Sequence, residues 1–184
     1  MSRSHEFDDD IRVARVKSRF ESEQWLPVPV EKVFAFFADP HNLPRIMPPA
    51  MNAKLLNQKL VNARNRGSDE PPMGAGQGSE MVLSFRVIPG LPFRGKWVAR
   101  IKECQINHFF TDIQVKGPFK SWHHRHEFVP QARDGVAGTL IRDAVNYEVG
   151  FGPPGALADR LFVRRQLQAT FAWRQKAVRE LLGK

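Results

Sequence analysis

The chain has 184 residues, hydrophobic residues at 42% of its positions and a net charge of +9. These values are typical of a single soluble globular domain with a sizeable core. A membrane-spanning helix is excluded, because no apolar run approaches the roughly 20 residues that one requires. An internal disulfide is excluded as well, because Cys104 is the only cysteine. The N-terminal residues are polar and acidic rather than those of a signal peptide, so we expect a cytoplasmic protein.

The positive charge favours an anionic partner such as nucleic acid, anionic lipid or an acidic small molecule. However, the Lys and Arg residues are spread over predicted strands and the last predicted helix, without a continuous basic run. Aromatic residues are not interleaved with them as single-stranded nucleic-acid binders require. We therefore expect a solvated basic surface and no nucleic-acid partner.

The first part of the chain predicts a leader, a strand and two short helices. Residues 1–14 are expected to be a flexible leader and residues 15–184 a single domain. Alternating side chains over 16–26 predict the first strand, which two prolines end. Residues 30–39 then predict a short helix, and a second short helical turn is expected before Met47.

Residues 52–60 predict a second strand, and residues 61–78, dense in Gly, Pro and polar residues, predict a mobile loop. Gly74, Gly76 and Gly78 do not form a phosphate-binding motif, because they precede a strand and no Gly-Lys-Ser/Thr follows.

Three further strands are predicted over 79–88, 93–106 and 109–116. Alternation in the second of these indicates one buried and one wet face. The side chains expected to face inward are Met81, Leu83, Phe85 and Val87 in the first, and Phe93, Trp97, Ala99 and Ile101 in the second. The solvated face of the second carries Arg94, Lys96, Arg100 and Lys102.

The next two strands carry the residues that most suggest a function. Side chains that share a face are Trp122, His124, His126 and Phe128 within 117–128, and Ile141, Asp143, Val145 and Tyr147 within 141–152. If the turn between the strands centres near Arg133 and Asp134, His124 lies opposite Asp143 and both sets share one face. A polar cluster in an apolar surface predicts the wall of a ligand cavity.

Residues 154–183 predict a long helix that packs on the open sheet. Its apolar stripe is expected to contain Leu157, Leu161, Val163, Leu167, Phe171, Val178, Leu181 and Leu182. Phe162 and Trp173 fall on the other side, where we expect them to pack against the short helices. Contact with a membrane, or with a second subunit in a homodimer, is the alternative.

This order of elements resembles the helix-grip fold of the SRPBCC superfamily, which includes START lipid-transfer domains, Bet v 1-like proteins and aromatic polyketide cyclases. The resemblance is carried by residues 29–44, Phe110-x-Asp112-x-Gln114, Trp122-x-His124-x-His126-x-Phe128 and Phe151-Gly152-Pro153, which are similar to bacterial cyclase/dehydrase-like members. It implies an α+β fold in which a curved antiparallel sheet of six or seven strands wraps around a long C-terminal helix. It also implies an apolar cavity between the two.

The first hypothesis is that this cavity binds a hydrophobic or lipid-like small molecule without a cofactor. The side chains expected in its wall are Phe85, Trp97, Trp122, His124, His126, Asp143, Tyr147 and Phe171. The alternative for the aromatic residues is that they fill a solid core.

The second hypothesis is a cyclase or dehydratase that acts on a polyketide-like substrate. His124 or His126 would be the general base, Asp143 would orient it, and Tyr147 would donate a hydrogen bond to a substrate oxygen. A purely structural His–Asp pair is the alternative.

Two further interpretations use the same residues or the surface. His-x-His with Asp143 offers three metal ligands, but no fourth ligand or cysteine lies nearby in sequence, so no metal site is predicted. The basic C-terminal helix, with Phe162 and Trp173, could instead dock on an anionic membrane or a protein partner.

Overall fold

The computed structural model describes residues 18–63, 74–86 and 92–183. Within them, antiparallel strands form one seven-stranded sheet in the order β1-β7-β6-β5-β4-β3-β2. The strands are β1 (Ser18–Leu26), β2 (Lys54–Lys59), β3 (Glu80–Arg86), β4 (Arg94–Gln105), β5 (Phe109–Lys116), β6 (Ser121–Pro130) and β7 (Thr139–Glu148). The α+β helix-grip prediction is confirmed, whereas the predicted leader 1–14 and Val87 lie outside the described residues.

Two short helices follow β1, as predicted. Helix α1 (Val30–Ala38) begins after a proline and buries Val33 and Phe34 against the sheet. A 3₁₀ turn leads into α2 (Leu43–Ile46), and the Asp39 carboxylate caps that turn by accepting a 2.9 Å hydrogen bond from the His41 backbone N–H. The prolines that punctuate this segment keep both helices short.

The turn between β6 and β7 lies one residue later than predicted. Asp134 and Gly135 both adopt positive φ, 51° and 78°, and Arg133 and Val136 exchange backbone hydrogen bonds of 2.9 and 3.0 Å around them. This is the type I′ geometry that Asp-Gly favours in a two-residue hairpin. The register therefore moves by two residues, so that His126 rather than His124 lies opposite Asp143. A shift of two keeps every side chain on its predicted face.

The described ends of the predicted mobile loop 61–78 are paired with the rest of the fold. Asn62 and Ala75 form an isolated antiparallel bridge, and the Ala75 N–H donates a 2.8 Å hydrogen bond to the backbone of Ala38. The Gly78 N–H likewise donates to Ile101, at 2.9 Å. Residues 64–73 lie outside the described residues.

The C-terminal helix is continuous from 152 to 182, but it is not a uniform α-helix. It consists of α3 (Gly152–Ala158), a π-helical turn (Asp159–Val163) and α4 (Arg164–Leu182). The buried positions of α4 are Leu167, Phe171, Arg174, Ala177 and Val178.

The predicted stripe is correct from Val163 to Val178 but wrong at Leu157 and Leu161, because the wider π turn changes the phase of the helix. Leu157 and Leu161 are exposed, as is Leu181 near the C-terminal end. Phe162, expected to pack against the short helices, is 69% exposed, and Trp173 is partly exposed with the Lys176 ammonium 5.9 Å from its ring centre.

The core fills the space between the sheet, α1 and α4. Phe34, Phe128 and Val178 are among its fully buried members, and a second apolar cluster surrounds Tyr147 and Phe171. Phe93 is 70% exposed, contrary to prediction, because it precedes the first paired residue of β4. Among the described helices, none is long and apolar enough to cross a membrane.

Candidate functional site

A cavity of about 360 Å³ lies between the sheet and α4. Most of its wall is apolar and comes from the short helices, the inward faces of β3 to β6, and α4. The predicted wall residues that line it are Phe85, Trp97, Trp122, His124, His126 and Phe171. Asp143 and Tyr147 were also expected there but do not line it.

One side of the wall is an aromatic cluster around Trp97. The ring centres of Trp97 and Trp122 are 4.9 Å apart and their planes are perpendicular, and Phe119 lies 5.7 Å from Trp97. Phe85 closes the cluster at 5.9 Å from Trp97. All four rings line the cavity, and aromatic surfaces of this kind suit an apolar ligand.

The polar part of the wall belongs to a group that we call the His–Asp cluster, which comprises Asp112, His124, His126, Asp143 and Arg174. All of these except Asp143 line the cavity. Strand pairing explains why the first four meet: Asp112 lies opposite His124, and His126 lies opposite Asp143. Arg174 reaches the cluster from the buried face of α4.

Two carboxylates bridge the two imidazoles of the cluster. Oδ1 of Asp143 lies 3.0 Å from His124 Nε2 and 2.6 Å from His126 Nδ1. Oδ2 of Asp112 lies 3.3 Å from His126 Nε2 and 3.6 Å from His124 Nδ1. His126 thus has a carboxylate at both ring nitrogens, whereas His124 has a close partner only at Nε2.

The two histidines titrate in opposite directions. Burial, followed by the nearby charge of His126, lowers the pKa of His124 to about 4. Burial also opposes the charged form of His126, but the charges and hydrogen bonds of Asp143 and Asp112 outweigh it and raise the pKa of His126. The cluster therefore favours the neutral form of His124 and the protonated form of His126.

The carboxylates of the cluster remain ionised despite burial. Burial favours their neutral form, but Arg174 and both histidines outweigh it and hold the pKa of Asp143 well below its usual value. The histidines and Arg174 likewise lower the pKa of Asp112. When His126 is protonated, these two anions are balanced by two cations, His126 and Arg174.

Tyr147 is fully buried away from the cavity. Its hydroxyl donates a 2.7 Å hydrogen bond to Oδ1 of Asp159, which also accepts a hydrogen bond from Ser18 through Oδ2. Burial and the Asp159 carboxylate raise the pKa of Tyr147. The phenol therefore ties the π-helical turn to the sheet, and the predicted hydrogen bond from Tyr147 to a ligand has no support in this geometry.

Sequence reasoning missed Asp112 and Arg174 as site residues. Arg174 was visible as a charged residue in the repeating pattern Leu167, Phe171, Arg174, Val178, where apolar side chains are expected. Asp112 lies two residues after Phe110 in β5, and both side chains line the cavity from the inward face of that strand. A charged residue at a position patterned for the core was the available signal in both cases.

The structure changes the set of residues that could bind a metal ion. Donor atoms of Asp112, His124 and His126 lie within 4.8 Å of one another, so Asp112 rather than Asp143 completes the candidate triad. Two features weaken its fit to a metal ion: the His126 nitrogens already contact carboxylates, and the Arg174 cation lies beside the group.

Solved structures show the same fold at low sequence identity. The protein TTHA0849 from Thermus thermophilus is 18% identical, with a TM-score of 0.61 over 89% of this chain and 95% of that one. A START superfamily protein from Mycobacterium smegmatis is 17% identical, with a TM-score of 0.59 over 89% and 96%. Ara h 8.0201 is 17% identical, with a TM-score of 0.55 over 90% and 97%.

No protein of curated function matches the chain. The family model described as polyketide cyclase/dehydrase and lipid transport matches residues 26–176, which include every element from the end of β1 to most of α4. The chain therefore belongs to the polyketide cyclase/dehydrase and lipid transport family, within the superfamily of START and Bet v 1-like proteins.

Proposed function

We propose that the protein binds an apolar or lipid-like small molecule in the cavity between the sheet and α4. The observation that carries the proposal is the cavity itself, about 360 Å³ in volume and lined mainly by apolar and aromatic side chains with one buried polar cluster. Ligand pockets commonly combine this volume and lining with a few well-placed polar groups. The family description, which covers both polyketide and lipid chemistry, supports the same class of ligand.

The alternative, an aromatic core without room for a ligand, fits the geometry less well. Interiors are packed at crystal-like density, and voids much larger than a water molecule are few. A void bordered by Trp97, Trp122 and Phe171 leaves large apolar surfaces without packing partners. A bound apolar molecule supplies those contacts.

The experiment is titration with N-phenyl-1-naphthylamine, a neutral apolar dye, against wild type and two matched variants. Ala99→Trp places a large side chain in the cavity wall, because Ala99 is buried and lines it. Val98→Trp places the same side chain on the other face of the same strand. We expect dye binding in wild type and Val98→Trp but not in Ala99→Trp, whereas equal binding by both variants would reject the cavity as the site.

Native mass spectrometry of protein purified from its own host complements the titration. About one apolar molecule per chain would identify the chemical class of the ligand. A chain that carries no molecule and binds no dye would point instead to a surface function.

A cyclase or dehydratase is the second candidate, because the cluster pairs a neutral imidazole with a protonated one. Proton removal next to a carbonyl needs a base, for which His124 is available, and elimination of water needs an acid such as His126. The low pKa of His124 makes it a weak base, and both nitrogens of His126 contact carboxylates, so binding is preferred. Turnover of a linear poly-β-ketone thioester by wild type, lost in a folded His124→Ala variant, would favour catalysis.

A further inference from the structure

Arg174 is a buried cation at the cavity wall. Its side chain leaves α4 towards the sheet, and the residue is only 8% exposed while lining the cavity. The guanidinium carbon lies 4.9 Å from the ring centre of Phe37 and 5.6 Å from that of Phe171. These aromatic rings hold the planar group in place but offer no hydrogen-bond acceptor in the plane of the guanidinium.

The hydrogen-bonding capacity of Arg174 is almost unused by the described part of the chain. Nε is fully buried without a hydrogen-bond partner. Among the described residues, no carboxylate oxygen lies within the 4.0 Å that defines an ion pair with this guanidinium. Its one polar contact joins Nη2 to Nδ1 of His126 at 3.5 Å.

That contact is not a hydrogen bond in the protonation state of the cluster. His126 Nδ1 lies 2.6 Å from Oδ1 of Asp143, and an ionised carboxylate can only accept. Nδ1 must therefore carry the hydrogen and donate it to Asp143. A nitrogen that donates in this way cannot accept a hydrogen bond from Arg174, so the buried guanidinium lacks an acceptor.

A buried cation without hydrogen-bonded acceptors is costly to the fold, because its donors lose their contacts with water and gain none in the protein. The cost falls if a ligand supplies the acceptor. The cluster does not repel such a ligand through net charge, because Asp112 and Asp143 are balanced by His126 and Arg174. A guanidinium has a fork of donors that matches the two oxygens of a carboxylate.

We propose that Arg174 binds the carboxylate of an amphipathic acid whose apolar part occupies the cavity. The inference rests on the proposed function, since it assigns the polar end of the same ligand. A neutral carbonyl would offer the guanidinium one uncharged oxygen, whereas a carboxylate offers two charged oxygens that match its fork of donors. A phosphate would bring a second negative charge next to Asp112.

The test compares decanoic acid with 1-decanol, which share a chain and differ in the polar end, by displacement of N-phenyl-1-naphthylamine at neutral pH. A hydrogen-bonded ion pair at a buried site predicts that wild type prefers the acid by about tenfold or more. Arg174→Met keeps an apolar stem of similar length and removes the cation. It is expected to lose the preference for the acid over the alcohol.

Arg165→Met is the matched control, because Arg165 is an exposed arginine on the same helix, and it should keep the preference. If Arg174→Met does not fold by circular dichroism, Arg174→Lys replaces it and is expected to weaken the preference by losing the paired donors. Equal affinity of wild type for acid and alcohol, or an unchanged preference in Arg174→Met, would overturn the proposal. Binding of the dye and decanol without acid preference rejects this inference alone, whereas failure to bind any of the three rejects the proposed function as well.

Discussion

The imidazole rings of His124 and His126 lie with their centres 3.7 Å apart, and one oxygen of Asp143 contacts both. Two imidazolium ions at this distance in a buried site would repel each other strongly. The site resolves this conflict by favouring the neutral form of His124 and the charged form of His126. Because the two pKa values move apart, the two residues contribute to stability over different pH ranges.

The first prediction concerns stability in mild acid. The pKa of His124 falls from 6.5 in the unfolded chain to about 4 in the folded one, so the unfolded state binds more protons between these values. Stability from this group is complete above pH 6.5 and is lost as pH falls towards 4, by a total of about 3 kcal/mol at about 1.4 kcal/mol per pKa unit. The melting temperature of wild type should therefore fall through this range. His124→Gln should flatten that dependence, whereas His123→Gln, on the other face of β6, should not.

The second prediction concerns pH above 6.5 and has the opposite sign. The pKa of His126 is raised above 6.5 in the folded chain, so the folded state binds more protons between 6.5 and the raised value. Its contribution is complete below pH 6.5 and is lost as pH rises through the folded pKa. Calorimetric melting of wild type should show this loss, and His126→Gln should remove it. A slope that survives in His126→Gln would mean that another group carries it.

The third prediction separates the structural role of Tyr147 from the predicted ligand contact. Tyr147→Phe removes the 2.7 Å hydrogen bond to Asp159 and leaves that carboxylate with Ser18. We expect the free energy of unfolding in urea to fall by about 1–3 kcal/mol, because a hydrogen bond to a charged group is lost. Affinity for N-phenyl-1-naphthylamine should stay unchanged. A large loss of affinity at unchanged stability would show that the phenol reaches the ligand after all.

The sequence predicted which faces the site residues occupy better than it predicted their partners. Alternation of side chains placed His124, His126 and Trp122 on the inward face, and this result survives any register error of two residues. The register itself depended on the turn, where Asp134-Gly135 is a strong type I′ signal that fixes the centre. With that centre, His126 opposite Asp143 would have been predicted.

The rest of the site depends on contacts between distant segments that periodicity does not encode. The bond from Tyr147 to Asp159 forms only because a π-helical turn presents that carboxylate to β7, and a uniform helical projection cannot show it. Arg174 was missed for a different reason. The helical projection considered only apolar residues, so it did not show that a charged residue lies within the buried stripe. A role for Arg174 in the site becomes evident only when strand pairing places the histidines and aspartates next to its side chain.

The last prediction concerns an exposed segment, which we call the helix patch. It carries four exposed apolar residues and three exposed arginines: Phe151, Leu157, Leu161, Phe162, Arg160, Arg164 and Arg165. Apolar and basic side chains side by side are typical of a surface that binds anionic membranes. Val163, within the same segment, lines the cavity, so docking here would bring the cavity close to the lipid surface. We propose that the helix patch is the membrane-docking surface.

Sedimentation with phosphatidylglycerol vesicles measures this directly. Wild type is expected to bind them, to bind less as salt rises, and to bind phosphatidylcholine vesicles weakly. Phe162→Glu removes a 69% exposed aromatic side chain and adds a negative charge, so binding should fall by about tenfold or more, given about 2 kcal/mol for burial of a phenylalanine. Leu56→Glu is the control, since Leu56 is an exposed apolar residue on the edge strand β2. The same change in charge at Leu56 should reduce vesicle binding much less. Equal losses in the two variants would mean that net charge alone explains the loss of binding, and would reject the helix patch as the docking surface.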